Sequence, residues 1–287
     1  MSERAHADVR PRRSGDTYLT AHGHDPDRFV EVGSLSKVIT GTVVAQLAKA
    51  GVLALDDPLE RWLPEAPGGT GITLRHLVEH TSGLPRLPPN LTPKFRDPYA
   101  SFTDRSLREV VRTLDRVTAR PPGSVSYSNL GYCVLGLALV TAADTPYQQL
   151  VDRHVLVPLG LEPGAMTAHP PEHRRLVRRG VFGFGRPRST WTLSGPMLPA
   201  GGLWATPRTT ARVLVGLAVD RALGEPAPSW VRTSTSVFHD GATRDSSVFA
   251  GARADGNWIV VHRLRGDGKR TVDLAVKTMK EATDEGR

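Results

Sequence analysis

The sequence predicts an α/β fold of the α+β kind, with strands toward the ends of the chain and helices between them. Three observations lead there. Strand patterns collect near the two ends of the 287-residue chain, a sharply bounded hairpin stands close to the C-terminus, and residues of about 55 to 225 read as helices joined by long Pro-rich loops.

Taken in order, Thr17–Ala21 is the clear strand before Val30–Val32, which feeds a helix. The apolar positions of that helix, Val38, Ile39, Val43, Val44 and Leu47, recur at helical spacing and stop at Gly51. A Pro/Gly turn, Pro121–Gly131, leads into a second apolar helix, Tyr132–Val140. In the tail, Ser247–Arg253 and Trp258–Leu264 flank Asp255-Gly256, a pair suited to a tight β-turn. Thr271–Thr283 closes the chain as a helix, with Val272, Ala275, Val276 and Met279 expected inward.

Composition narrows the function classes. The net charge of +8 is partly concentrated between His173 and Arg188, a run suited to a solvated face or to steering an anionic substrate or an acidic carrier protein. No nucleic-acid-binding motif accompanies the charge, and no stretch has the length and apolarity of a membrane span. The first fifteen residues lack the apolar core of a secretory signal, which sets the expectation of a cytoplasmic protein that handles metabolites. Cys133, the single cysteine, lies in an apolar run and reads as a buried structural thiol.

The chemistry starts at Ser34-Leu-Ser-Lys37. Residues three apart share one helix face, so the Lys37 amine can reach the Ser34 hydroxyl. Desolvation lowers a lysine pKa, and a neutral amine can then take the serine proton. Alone the pair says little, since roughly one Ser-x-x-Lys arises by chance in a chain this long. Two later segments join it: Tyr127-Ser-Asn129, delivered by the Pro/Gly turn, and His239-Asp-Gly241 at the end of a β-rich run, where glycine lets the backbone approach a ligand closely.

Ser-x-x-Lys, Tyr-x-Asn and His-x-Gly in that order resemble the serine β-lactamase and penicillin-binding-protein superfamily, and within it the class C β-lactamase-related esterases. Gly51–Pro64, Ile72–Leu84 with its His-Thr-Ser-Gly-Leu ending, Pro158–Leu161 and Pro199–Thr206 are similar to further blocks of that family. The resemblance implies one catalytic domain over residues 1–287. Its sheet lobe, an antiparallel sheet flanked by helices, would combine about 1–54 with about 226–287, and a mainly helical lobe, about 55–225, would be inserted between them. It implies Ser34 as the acylated nucleophile, Lys37 and Tyr127 as acid/base partners, and the backbone N–H groups of Ser34 and Ala242 as an oxyanion hole. Asn129, His239 and Gly241 would line the substrate, and no cofactor or metal is needed; the loop pattern itself offers Arg86 to Tyr99 as a candidate rim. A tyrosine acting as base must fall well below its usual pKa of about 10, which two neighbouring cations would favour; by sequence Lys37 supplies one.

The chain departs from the pattern at its ends. His239 stands where many relatives carry lysine, which weakens a claim on β-lactam carboxylates, and the single clear strand before Val30 leaves one sheet edge short. Arg244 and Asp245, after the third motif, are expected to pair at the surface, with a part in an unusual substrate rim as the alternative. The function implied is hydrolysis or acyl transfer on a small-molecule ester or amide, in a biosynthetic setting. Alternatives are a β-lactamase or D-amino-acid peptidase and a silent binding protein on the same fold. From another class, His76-Leu-Val-Glu79-His80 matches an inverted zincin pattern, with two helical histidines as zinc ligands and Glu79 as base.

Overall fold

The computed structural model describes residues 6–12, 15–20, 23–89, 91, 97–178 and 187–284. Its strands are β1 (His6–Arg12), β2 (Gly15–Thr20), β3 (Val30–Glu31), β4 (Met166–Thr167), β5 (Trp204–Ala205), β6 (Val231–Arg232), β7 (Ser236–Ala242), β8 (Ser247–Arg253) and β9 (Trp258–Arg263). The helices are α1 (Ser36–Lys49), α2 (Leu59–Trp62), α3 (Leu74–Val78), α4 (Asp104–Val111), α5 (Leu114–Val117), α6 (Asn129–Ala143), α7 (Tyr147–Val151), α8 (Pro207–Leu214) and α9 (Gly268–Asp284).

Chain ends build the main sheet. Its order is β2-β1-β9-β8-β7-β6, antiparallel at every step. Alternation along β8 and β9 divides the core: Val248, Ala250, Ala252, Trp258 and Val260 face the helical body, while Phe249, Ile259 and Val261 pack beneath α9 with Ala275. α8 crosses the other face, against β1, β8 and β9. A separate small sheet, β3-β5-β4, sits where the chain enters α1. α1 itself is buried nearly all round between α6, α7 and the turn Leu198–Gly202, so its packing is set by neighbours on every side.

Three expectations change. The sheet edge is complete, because His6–Arg12 forms β1 and pairs through Ala7↔His262 and Val9↔Val260 with β9. That segment is polar and carries Pro11, so local propensity hides a strand that main-chain pairing with β9 creates; Pro11 lies beyond the last residue paired to β9. Val276 is exposed rather than inward, because α9 turns Ala275, with Val272 and Met279, toward the sheet. Asp245 is buried rather than at the surface, where Arg178 at 3.2 Å and Arg188 at 3.1 Å share its Oδ1 and Arg244 lies at 3.8 Å from Oδ2. Of the basic run, residues 179–186 lie outside those described, as do 90 and 92–96 of the expected rim and Ala21 of the first strand. Cys133 is buried against Met197 Sδ, and desolvation pushes its thiol up to about 12.

Candidate active site

Ser34 sits on a tight 3₁₀ turn, Gly33–Leu35, two residues before the start of α1, rather than inside the helix. Gly33 makes the turn possible. Its φ of +50° suits glycine, and a Cβ there would lie 2.8 Å from the backbone nitrogen of Ala242. Lys37 follows in the first turn of α1 with its Nζ 3.3 Å from Ser34 Oγ, so the i, i+3 spacing read from the sequence brings the two together.

The surroundings of Lys37 decide its protonation. It is fully buried, and desolvation lowers its pKa from 10.5 to about 7; the Arg86 guanidinium pushes the same way, while Cys133 and Asp240 oppose. Its Nζ also donates to Ala200 O at 2.5 Å and to Asn129 Oδ1 at 2.8 Å. A neutral amine has two hydrogens and one lone pair. With both hydrogens directed at those carbonyl oxygens, the lone pair is left for Ser34.

Tyr127 completes the contact around the nucleophile by donating its hydroxyl to Ser34 Oγ at 2.7 Å. The loop that holds it is fastened at its far end by the cap of α6. Ser128 Oγ accepts from Gly131 N at 2.8 Å and donates to Pro85 O at 2.7 Å. Asn129, the first residue of α6, donates its backbone N–H to Arg86 O at 2.9 Å; with Oδ1 taken by Lys37, its Nδ2 donors remain for a substrate carbonyl. Burial raises the Tyr127 pKa to about 12, against opposing pulls from its hydrogen bond to Ser34 and from Arg86. A phenolate base is therefore not what this environment favours: Tyr127 is held protonated, as a donor.

β7 supplies the third side. Gly241 faces the nucleophile turn so closely that a Cβ would fall 2.2 Å from Val32 O and 2.9 Å from Ser34 N. The glycine thus admits the turn against the strand, a tighter constraint than the ligand approach expected of it. Thr243 N donates to Ser246 O across the β7–β8 turn, and ladder alternation points the Ala242 N–H off the opposite edge of β7, toward Gly33. β6 pairs β7 only at Val237 and Phe238, which leaves that edge open near Ala242. His239 lies on the same face as Gly241 and is buried; desolvation first, then Lys37, lowers its pKa to about 4. Its Nδ1 donates to Asp240 O at 2.6 Å, so the neutral ring presents Nε2 as an acceptor. Beside the nucleophile turn lies a cavity of about 180 Å³, lined by Glu31, Trp191, Leu193, Gly201 and Trp204 among others.

Three further groups lie in segments the sequence singled out, but their roles here were not read from it: Ala200 through its carbonyl, Arg86 and His80. Arg86 places its guanidinium carbon 4.8 Å from the Tyr127 ring centroid. His80 accepts from Ser128 N at 3.1 Å and lies against Tyr127 and Tyr132, at ring distances of 4.5 and 5.0 Å. The sequence signal for His80 was present in the His-Thr-Ser-Gly-Leu block, and Arg86 opens the stretch expected to form the rim, although nothing in the sequence aims its side chain at Tyr127. The zincin pattern is broken by the backbone. α3 ends at Val78, His80 has a φ of +60°, and His76 turns its ring back to cap the helix at Thr73. Among the described residues no group of three or more His, Cys, Asp or Glu gathers as a metal site.

Comparison with known proteins agrees with this geometry. A family model described as Beta-lactamase matches residues 9–261. The chain is 32% identical over 188 residues to the D-alanyl-D-alanine-carboxypeptidase/endopeptidase AmpH of Escherichia coli, covering 63% of this chain and 46% of that protein. It is 32% identical over 158 residues to esterase EstB of Burkholderia gladioli, covering 51% of this chain and 40% of the relative. The chain thus spans less than half the length of these curated relatives. Two solved structures share the fold. The D-amino acid amidase of Ochrobactrum anthropi SV3 complexed with D-phenylalanine superposes with a TM-score of 0.80 at 18% identity, covering 99% of this chain and 95% of that one. A β-lactamase/D-alanine carboxypeptidase from Yersinia pestis gives 0.74 at 20% identity, covering 96% and 92%.

Proposed function

The chain belongs to the β-lactamase family, within the superfamily of serine β-lactamases and penicillin-binding proteins, and we propose that it cleaves a small ester or amide through an acyl-enzyme on Ser34. One observation carries this reading: Ser34 Oγ lies between the Tyr127 hydroxyl at 2.7 Å and the Nζ of Lys37 at 3.3 Å, in a setting that lowers the lysine pKa to about 7, so that a large share of it is neutral at pH 7. Lys37 takes the Ser34 proton as Oγ attacks the substrate carbonyl. The developing oxyanion faces the backbone N–H groups of Ser34 and Ala242, donors of a kind whose single loss typically costs about 10²–10³ in rate. As the C–O or C–N bond breaks, the Tyr127 hydroxyl passes a proton to the departing oxygen or nitrogen, and Lys37 returns its proton to Tyr127. Water, or another nucleophile admitted to the site, then releases the acyl group from Ser34 with Lys37 and Tyr127 moving protons in the reverse sense.

A neutral His239 in place of a lysine leaves the third motif itself without a positive charge for a substrate carboxylate. The test is intact mass after treatment with a fluorophosphonate, together with turnover of a p-nitrophenyl ester, for wild type and Ser34→Ala. A single adduct and turnover that both vanish in the variant are expected. Unchanged ester hydrolysis by Ser34→Ala would remove the reading.

A further inference from the structure

The basic side chains around Ser34 differ in what they have left to offer a substrate. Lys37 is buried and directs its hydrogens to Ala200 O and Asn129 Oδ1. His239 is buried with Nδ1 on Asp240 O, and His80 uses Nδ1 to accept from Ser128 N while its ring is enclosed by two tyrosines. Arg86 is the exception. Its side chain is exposed, and no carboxylate among the described residues lies within salt-bridge distance of its guanidinium. Other arginines find such partners: Arg178 and Arg188 share Asp245, Arg75 holds Asp56 and Arg208 holds Asp27.

Its position is fixed from both ends. Pro85 O and Arg86 O accept from Ser128 Oγ and Asn129 N, which hooks this loop onto the segment that delivers Tyr127. The guanidinium then lies over the Tyr127 ring, whose hydroxyl touches the nucleophile. With no carboxylate partner among the described residues, the N–H groups of this guanidinium are available to a substrate, and a guanidinium grips a carboxylate with two parallel hydrogen bonds. Asp240, a carboxylate whose charge also reaches Lys37 and Tyr127, does not occupy Arg86. It leaves β7 on the face opposite His239, toward Gly268.

We propose that Arg86 is a specificity-determining residue of this site, and that the acyl donors it handles best carry a free carboxylate, gripped by the Arg86 guanidinium beside Tyr127. This deepens, and rests on, the reading of Ser34 as nucleophile. It also moves the positive charge from the third motif, where the sequence shows histidine, to the loop after the His-Thr-Ser-Gly-Leu block.

The experiment uses two matched pairs of donors, so that the charge is placed on either side of the scissile bond. Mono-p-nitrophenyl glutarate is compared with p-nitrophenyl valerate, and 3-acetoxybenzoate with its methyl ester, in wild type, Arg86→Gln, Arg86→Lys and Ser34→Ala. In at least one pair, wild type should favour the carboxylate member by about ten-fold or more in kcat/KM, the range of a charge-assisted hydrogen bond. Arg86→Gln should bring that ratio to about one, and Arg86→Lys should retain part of it. The preference should weaken with added salt. A wild-type ratio of one or below in both pairs overturns the proposal, as does a ratio that Arg86→Gln leaves unchanged. Fluorophosphonate labelling of the two Arg86 variants reports an intact site. Should Ser34→Ala hydrolyse every donor as fast as wild type, the nucleophile itself is wrong and the role of Arg86 falls with it; Ser34-dependent turnover with an Arg86-independent ratio removes only the role of Arg86.

Discussion

Thr243 Oγ1 donates a 2.9 Å hydrogen bond to the buried carboxylate of Glu31, joining the strand that enters the Ser34 turn to the end of the strand that carries Ala242. A second bond runs beside it, from Ser246 Oγ to Glu31 O at 2.9 Å, with His262 Nε2 2.6 Å from the same hydroxyl. The two N–H groups assigned to the oxyanion come from different elements, so their spacing is only as fixed as the bonds between those elements. Thr243→Val should leave the Glu31 carboxylate unsatisfied, costing about 1–3 kcal/mol of stability, and should lower kcat about ten-fold with a smaller change in KM. Denaturant unfolding and steady-state kinetics on one p-nitrophenyl ester check both parts; a stability loss with unaltered kcat would separate Glu31 from the oxyanion hole.

Glu31 also makes stability depend on pH. Burial, with some help from Asp245, raises its carboxyl from 4.5 to about 7 against the hydrogen bond from Thr243. A carboxyl raised in the folded state binds its proton more tightly there than in the unfolded chain. Its contribution is therefore fully present below about 4.5 and is lost as pH rises toward 7. The loss across that window is on the order of 3 kcal/mol. Buried His262, lowered by desolvation, acts in the opposite sense below its ordinary value of 6.5, so wild type alone shows only the sum. The difference between Glu31→Gln and wild type isolates the carboxyl: the variant should gain stability relative to wild type as pH goes from 4.5 to 7, measured by urea unfolding at each pH.

The pH dependence of rate separates Lys37 from Tyr127 as the base. With Lys37 near 7 and Tyr127 near 12, kcat/KM should climb about ten-fold per pH unit below 7 and flatten above it, as the amine becomes neutral. Tyr127→Phe should lower the rate by about 10²–10⁴ while keeping the limb near 7, because the tyrosine acts as a donor. Lys37→Met should remove turnover and the limb together. Disappearance of the limb in Tyr127→Phe, with rates flat from pH 5 to 9, would reassign the base.

What was legible in the sequence was local. Ser34 and Lys37 are three residues apart, and the turn that opens α1 brings them together whatever surrounds it; Tyr127 and Asn129 are read from a turn and a helix start. Distant partners left no trace of that kind. β1 is a strand because β9 pairs with it, and neither its polar residues nor Pro11 announce that. Arg86 joins the site through a loop hooked to Ser128 and Asn129, a contact spanning about forty residues of chain. The protonation states were the least legible. The sequence supplies a lysine and a tyrosine, but burial from every side makes the first a base and keeps the second an acid. His76-x-x-Glu79-His80 shows the reverse error, a pattern whose spacing presumes a helix that ends at Val78.

Two glycines set the fit of turn against strand. Gly33→Ala would put a methyl 2.8 Å from Ala242 N at a φ of +50°, and Gly241→Ala would put one 2.2 Å from Val32 O. Both obstacles are backbone atoms, which cannot rotate away. Each variant should lose at least about 2 kcal/mol of stability and more than about 100-fold in kcat, since the nucleophile turn and β7 must part. Gly256→Ala serves as the comparison: it also has positive φ, at +84°, but nothing within 4 Å of the added methyl, so it should cost about 1 kcal/mol and leave kcat near wild type. Similar kinetic losses in all three would mean that strain alone, and not the approach of β7 to Ser34, governs the site.

His80 gives the sharpest contrast between two chemistries. If it braces Tyr127, then His80→Ala should lower kcat because the Tyr127 ring loses its 4.5 Å neighbour and Ser128 N loses its acceptor, while labelling of Ser34 persists at a reduced rate. Chelation of the wild-type enzyme should then leave turnover unchanged, and added zinc should not restore the variant. His76→Ala should cost stability through the lost cap at Thr73 by about 1 kcal/mol, with kcat retained, because its ring serves the helix end and not the nucleophile. A zinc site would couple the two histidines instead. Equal loss of activity in His76→Ala and His80→Ala, matched by loss on chelation and recovery with zinc, would replace the serine mechanism with a metal one.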